Sequence, residues 1–595
     1  MQTPISYNQI THDLNPIQAL RRLTKHTFST ISYMILPIFF ALSGYGSAYA
    51  TVNCTNTMNG DQNITSGGKI YIRDDCQITG DVSSGSDHLE MFIYDGEILG
   101  EVTINKGVAN NHVVNGLVRV IGNGAKFPTF SMFTKKTVAE ILMSYNATTG
   151  ASDIKFLNTG NEVKLTRGTL DGNIIFRNIE DSPDIHAAGT VTIVDGNMTG
   201  SISMDGCNVI LDDTDCDESN GCQGARVPTF SNKTTNSEIE LKTGSYFYES
   251  KDIVFKNTGN VATLTSGELN GNIKFRNSDD TANAAGTVNV GDGSTRGTLA
   301  ANKSIFMDGG TINIKTANAT VPAIDSSTIN STVDIQKNAS SKIQFQNTGN
   351  IATLTSGVLD GDIKFLDSNG ANAAGTVNVV GGTLGSEKSI FMDGGTVNLT
   401  ADGATVPAIN SSTTDTTIDI QLSSGTTAAS NIQFQNTGNI ATLTSGELDG
   451  DIKFRDSGDT ANAAGTVNVV GGTLGSGHVI HMGSDKDGSG NITTRGTVNL
   501  TANGATVPAF DSSTTDTTID IQQNASSNIQ FQNTGNIATL TSGELDGDIK
   551  FLNNTDNTAN AAGTVNVVGG TLGSGHVIHM GSDKDGSGNI TTRGT

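Results

Sequence analysis

The 595-residue chain has no tryptophan, nine prolines and five cysteines, and aromatic residues make up only 5 % of it. The lack of Trp and scarcity of aromatics argue against a propeller with aromatic blade marks and against immunoglobulin-like modules with a Cys-Trp-Cys core. Few prolines and only 16 % charged residues also exclude a Pro-rich linker or a charge-rich disordered chain. Positive charge is short as well: 35 Lys and Arg face 59 Asp and Glu, a net charge of −24, so nucleic acid is not an expected partner. Beyond residue 50 no apolar run is long enough to be a membrane helix.

What is abundant is glycine, 71 residues, with Asn, Asp, Ser and Thr between short runs of Val, Ile and Leu. Residues 1–50 stand apart. Arg21, Arg22 and Lys25 precede the apolar stretch Ile31 to Leu42, and the segment ends in Ala48-Tyr49-Ala50. This order predicts a secretory signal peptide cleaved after Ala50, and therefore an exported protein. The cysteines Cys54, Cys76, Cys207, Cys216 and Cys222 all lie early. Cys54 with Cys76, and two of the later three, would close short loops, and the odd number leaves one thiol over.

Self-comparison decides the fold. Asn-Thr-Gly-Asn begins at Asn158, Asn257, Asn347, Asn436 and Asn533. A proline between apolar residues recurs at Pro128, Pro228, Pro322, Pro407 and Pro508, and Ala-Ala-Gly-Thr-Val begins at Ala187, Ala284, Ala373, Ala463 and Ala561. The segments Leu359 to Phe365 and Thr376 to Val379 alternate apolar and polar residues, which is the period of a strand. Such strands, bounded by Gly, Asn and Asp, predict an all-β, right-handed parallel β-helix (β-solenoid) of five super-repeats of about 90–100 residues. On this reading residues 51–125 form a non-repeated N-terminal cap or binding tip, and 126–595 form the repetitive solenoid.

Gly446 to Phe454 and Gly465 to Val469 resemble the passenger regions of bacterial autotransporter surface proteins, including rickettsial-type surface antigens. The resemblance spans roughly residues 90–595. It implies display at the cell surface or outer membrane, or secretion, and adhesion to a host-cell surface protein or glycan. That family also carries a C-terminal membrane β-barrel. Here Arg593-Gly594-Thr595 aligns with Arg495-Gly496-Thr497 in mid-repeat, so membrane association is expected only through a translocator missing from this sequence.

The most site-like motif is Asp485-Lys486-Asp487-Gly488-Ser489-Gly490-Asn491, copied from Asp583 to Asn589. Asp485, Asp487, Ser489 and Asn491, with Asp583, Asp585, Ser587 and Asn589, have the spacing of the first half of an EF-hand loop, so weak Ca2+ binding is one reading. A solvated Gly-Asp turn is the other, since Gly496 stands where the bidentate Glu belongs and strand-like residues flank the motif. Asp212, Asp213, Asp215, Asp217 and Glu218 among the later cysteines read either as a cation site or, since charge runs are usually solvated, as a disulfide-pinned exposed loop. His478 and His481, three apart on an expected strand, should face opposite sides, the wrong geometry for a shared metal. No cofactor other than Ca2+ is implied.

No Ser-His-Asp, zinc or phosphate-loop signature is present, and most Asp and Lys recur in every repeat, whereas a reaction needs one unique constellation. No enzyme is therefore expected. The readings set beside an adhesin are a polysaccharide-acting β-helix enzyme and a purely structural coat or stalk.

Overall fold

A computed structural model describes residues 51–595 apart from short segments, the longest being 105–114, 179–185, 213–224 and 243–250. The expected signal peptide, Cys216, Cys222 and most of the acidic insertion lie outside the described residues. From Thr51 onward the chain forms one compact unit. Its described elements are all strands, and no helix among them is long and apolar enough to cross a membrane.

The strands wind into a parallel β-solenoid, as the periodicity predicts. The third repeat shows why. Thr376–Val379 alternates half-buried Thr and Asn with buried Val377 and Val379, and it pairs in register with Ile351–Leu354 on one side and Thr396–Leu399 on the other. The same position in successive coils is filled by Ile351, Thr376, Thr396 and Thr417, and Ile440 begins the next copy. A super-repeat is thus four coils. These strands belong to a sheet of 25 strands, with shorter sheets along the other faces. Between 51 and 125 the strands Thr51–Cys54, Lys69–Ile72, His88–Ile93 and Asn115–Val120 join the same ladder, for example Val52 against Ile70 and Met91 against Val118, and the others lie in the shorter sheets.

Each regular coil has three faces. Leu359 to Phe365 reads as one alternating segment, but it is two strands, Val358–Asp360 and Ile363–Phe365, in different sheets. The break falls at Gly361, where a Cβ would lie 2.1 Å from the carbonyl oxygen of Ser341 in the coil before. Only glycine lets the two backbones come that close.

The core is a column of small aliphatics with phenylalanines at one side. Phe130, Phe156 and Phe176 stack at centroid separations of 4.7 and 5.3 Å, and Phe345 lies 5.2 Å from Phe365. At the Asn-Thr-Gly-Asn corner the last Asn is buried and joins neighbouring coils. Asn350 Oδ1 accepts from the Ser331 amide at 3.0 Å, and its Nδ2 donates to the carbonyls of Thr328 and Asn347 at 3.1 and 2.9 Å. Asn260, Asn439 and Asn536 repeat these bonds. The repeat markers therefore satisfy buried backbone groups that would otherwise be orphaned.

Cys54 and Cys76 form the expected disulfide, with Cα atoms 5.8 Å apart. Cys207 is buried and free. Its Sγ accepts from the Gly189 amide and donates to the Ala187 carbonyl, and burial pushes the thiol up to about 12.

Candidate functional site

The EF-hand-like motif is a turn in a two-stranded antiparallel hairpin, Ser484–Lys486 against Ile492–Arg495. It is inserted where the third repeat has only Asp393-Gly394. Asp485 looks back to the coil, its Oδ1 accepting from the Ala464 amide at 3.0 Å. Asp487 closes the turn, its carboxylate taking the amides of Ser489 and Asn491 at 2.9 Å and the Asn491 side-chain nitrogen at 3.0 Å. The Asn491 side-chain bond, then the turn amides, hold the Asp487 carboxyl below its ordinary value. The two carboxylates thus serve different partners, and Ser489 takes part through its backbone. Ser582–Lys584 and Ile590–Arg593 form the second hairpin, with Asp583 bonded to the Ala562 amide. Ser587 and Asn589 lie in its turn region, and Asp585 lies outside the described residues. Among the described residues no group of three or more His, Cys, Asp and Glu side chains could hold a metal ion.

The expectation for the two histidines is corrected. His478 precedes the short strand Ile480–His481, just after a turn at Gly477 with φ +89°. Strand alternation therefore does not reach it. Both rings approach Asp451 of the preceding coil, His478 Nδ1 at 3.4 Å and His481 Nε2 at 3.8 Å. His478 Nε2 also meets Asp449 at 2.9 Å, and His481 Nδ1 lies 3.4 Å from Asp511. Burial lowers the His481 pKa, against the opposing pull of Asp511. In the last repeat His576 lies between Asp546 and Asp548 in the same way.

The hairpin also walls an open cleft of about 720 Å3, whose opposite side is the loop 455–463. Its floor comes from adjoining coils through Thr437, Ser513 and Thr515. The lining is hydroxyl, amide and charge, with only Ala461 and Ala463 apolar. Asp456 is spent on its own loop, where it accepts from the Thr460 amide and hydroxyl at 2.6 Å. Lys486 pairs with Asp516 at 3.2 Å and Arg455 Nε lies 3.8 Å from Asp459. Asn462 ties the loop to the floor, its Nδ2 donating to Ser513 Oγ at 2.9 Å. A smaller cleft of about 270 Å3 lies at the second hairpin, between Arg495, Asp583 and Arg593.

Sequence reasoning missed this cleft. Its lining comes from residues as far apart in sequence as Asn436 and Thr515, and only the inserted hairpin hinted that one corner differs. By its fold the protein is a β-solenoid with polar, recurrent outer faces. No known family model matches the chain, and neither a curated protein nor a solved structure is significantly similar to it.

Proposed function

We propose that the protein is an exported bacterial surface passenger, an adhesin or surface antigen that displays a repetitive solenoid to a host-cell surface protein or glycan. The observation that carries this reading is repetition on the outside. Columns such as Thr376, Thr396 and Thr417, beside Asn378, Asn398 and Asp419, recur every four coils, about 19 Å apart for strands spaced at about 4.8 Å. Repeated polar surface suits many weak contacts made together, because each further contact on a tethered chain benefits from high effective concentration. The Arg-Arg and apolar stretch before Ala50 and the net charge of −24 suit an exported, soluble surface. Labelled full-length protein should bind cultured host cells saturably, and surface labelling of the producing bacterium should reach it. Failure of both measurements would overturn the proposal.

A further inference from the structure

We propose that the cleft between the loop 455–463 and the hairpin 484–495 binds a neutral saccharide through adjacent hydroxyls. The proposal rests on the adhesin reading and names a binding site for it.

Uncommitted groups define the ligand. Arg455 lines the cleft and makes its ion-pair contact with Asp459 through Nε, and Asp485 uses one carboxylate oxygen on the Ala464 amide. Thr437, Ser457 and Thr515, each with a hydroxyl, line the same space. Asn462 Oδ1 is a buried acceptor with no partner, although Asn283, at the same place in a repeat without a hairpin, shares that property. The groups that would recognise a ligand are therefore Arg455, Asp485 and the hydroxyl-bearing side chains. A planar donor fork, a carboxylate oxygen and several hydroxyls match adjacent sugar hydroxyls, each of which both donates and accepts.

Other ligand classes fit less well. Two alanines are the only apolar residues in the lining, so no large apolar or aromatic side chain forms a pocket for the anchor on which peptide recognition depends. Anions meet excess negative charge, because Arg455 and Lys486 stand among Asp456, Asp459, Asp485 and Asp516. Without an aromatic platform a single sugar should bind with a Kd on the order of millimolar. Adhesion would then need several sites or several molecules.

The repeats supply a control. Arg455 pairs through its backbone with Asn462; the equivalent bridges elsewhere carry arginine at Arg177 and Arg276, paired with His186 and Asn283, and leucine at Leu366 and Leu552, paired with Asn372 and Asn560. Leucine is therefore compatible with the fold at this position, and Arg455→Leu removes the fork without disturbing the coil.

Saturation-transfer NMR on the full chain, with methyl glycosides of neutral hexoses and the matching hexuronates as probes, tests the site. The expected result is transfer to one or more neutral glycosides, weaker transfer to hexuronates, and an affinity lowered roughly tenfold or more in Arg455→Leu at unchanged Tm. Asp485→Asn, which keeps an acceptor for the Ala464 amide, should also weaken binding. No transfer to any neutral glycoside, preference for the uronates, or undiminished binding by Arg455→Leu would overturn the proposal. Cell binding that survives both Arg455→Leu and periodate oxidation of the cells would defeat the cleft and leave the adhesin reading standing. Glycoside binding without cell adhesion would do the reverse.

Discussion

Gly375 lies flat against the ring of Phe365, so close that a Cβ on the glycine would sit 2.0 Å from Cδ1. The same contact joins Gly286 to Phe275, Gly465 to Phe454 and Gly563 to Phe551. Two sequence markers, Ala-Ala-Gly-Thr-Val and the Ile-x-Phe strand, therefore recur together because one is the seat of the other.

Gly375→Ala should destabilise its coil by about 1–3 kcal/mol through overpacking. Hydrogen exchange of the amides in 343–399 should locate the loss. Phe365→Leu in the same chain should make the alanine cheaper, since the clashing ring is gone, and a cost that merely adds would refute the contact.

Asn350→Ala should cost about 2–4 kcal/mol, because it leaves the Ser331 amide and the Thr328 carbonyl buried without partners. Asn350→Asp keeps the acceptor but turns it toward two carbonyls. That variant should therefore recover stability as pH falls and the new carboxyl is protonated. Denaturant midpoints at neutral and acid pH decide between the two.

His576 has its pKa raised above 6.5, first by its bond to Asp546 and, against desolvation, by Asp548. A raised histidine pKa adds stability that is fully present below 6.5 and is lost as pH rises through the folded value. The Tm difference between the native chain and His576→Gln should shrink as pH rises above 6.5. A difference that grows with pH would reverse the sign and reject the ion pair. His481, whose pKa burial lowers, remains unchanged in both chains and so cancels.

Calcium at millimolar concentration should leave the Tm of the full chain unshifted. The turn of the first hairpin already holds the Asp487 carboxylate with three hydrogen bonds, while Asp485 is turned to the Ala464 amide. Stabilisation rising with calcium, as mass action requires for a ligand of the folded state, would show instead that the loops rearrange to bind it.

Cys207 should resist alkylation in the native protein and react after unfolding. Only the thiolate attacks, and a thiol pushed up to about 12 is almost entirely protonated at neutral pH. Mass spectrometry of the Cys207 peptide reads this directly, and rapid native labelling would contradict the buried placement.

Much of the fold was legible because a strand writes its burial into alternate residues, as Thr376 to Val379 does. Less legible was where a run bends. The pattern continues through Asp360-Gly361 while the chain turns a corner, since the constraint on Gly361 comes from Ser341, twenty positions away. The histidines were misplaced for the same reason. Gly477 puts His478 beyond the reach of strand alternation, so both rings find one carboxylate. The cleft was hidden because it belongs to no single segment: Arg455, Asp485 and Thr515 meet only once the coils are stacked.

The four-coil period has an evolutionary side. Ile351, Ile440 and Ile537 occupy equivalent rungs, so excising or duplicating one whole copy creates only junctions of a kind that already exist. Loss or gain of a single coil would set an asparagine clasp against the wrong rung and strand its carboxamide, whereas an insertion at a corner, such as the hairpin 484–495, leaves the rungs in register. Unequal exchange between such copies can thus lengthen or shorten the molecule in whole steps without a folding penalty at the seam, and related sequences should differ by whole copies, with smaller length changes confined to the corners.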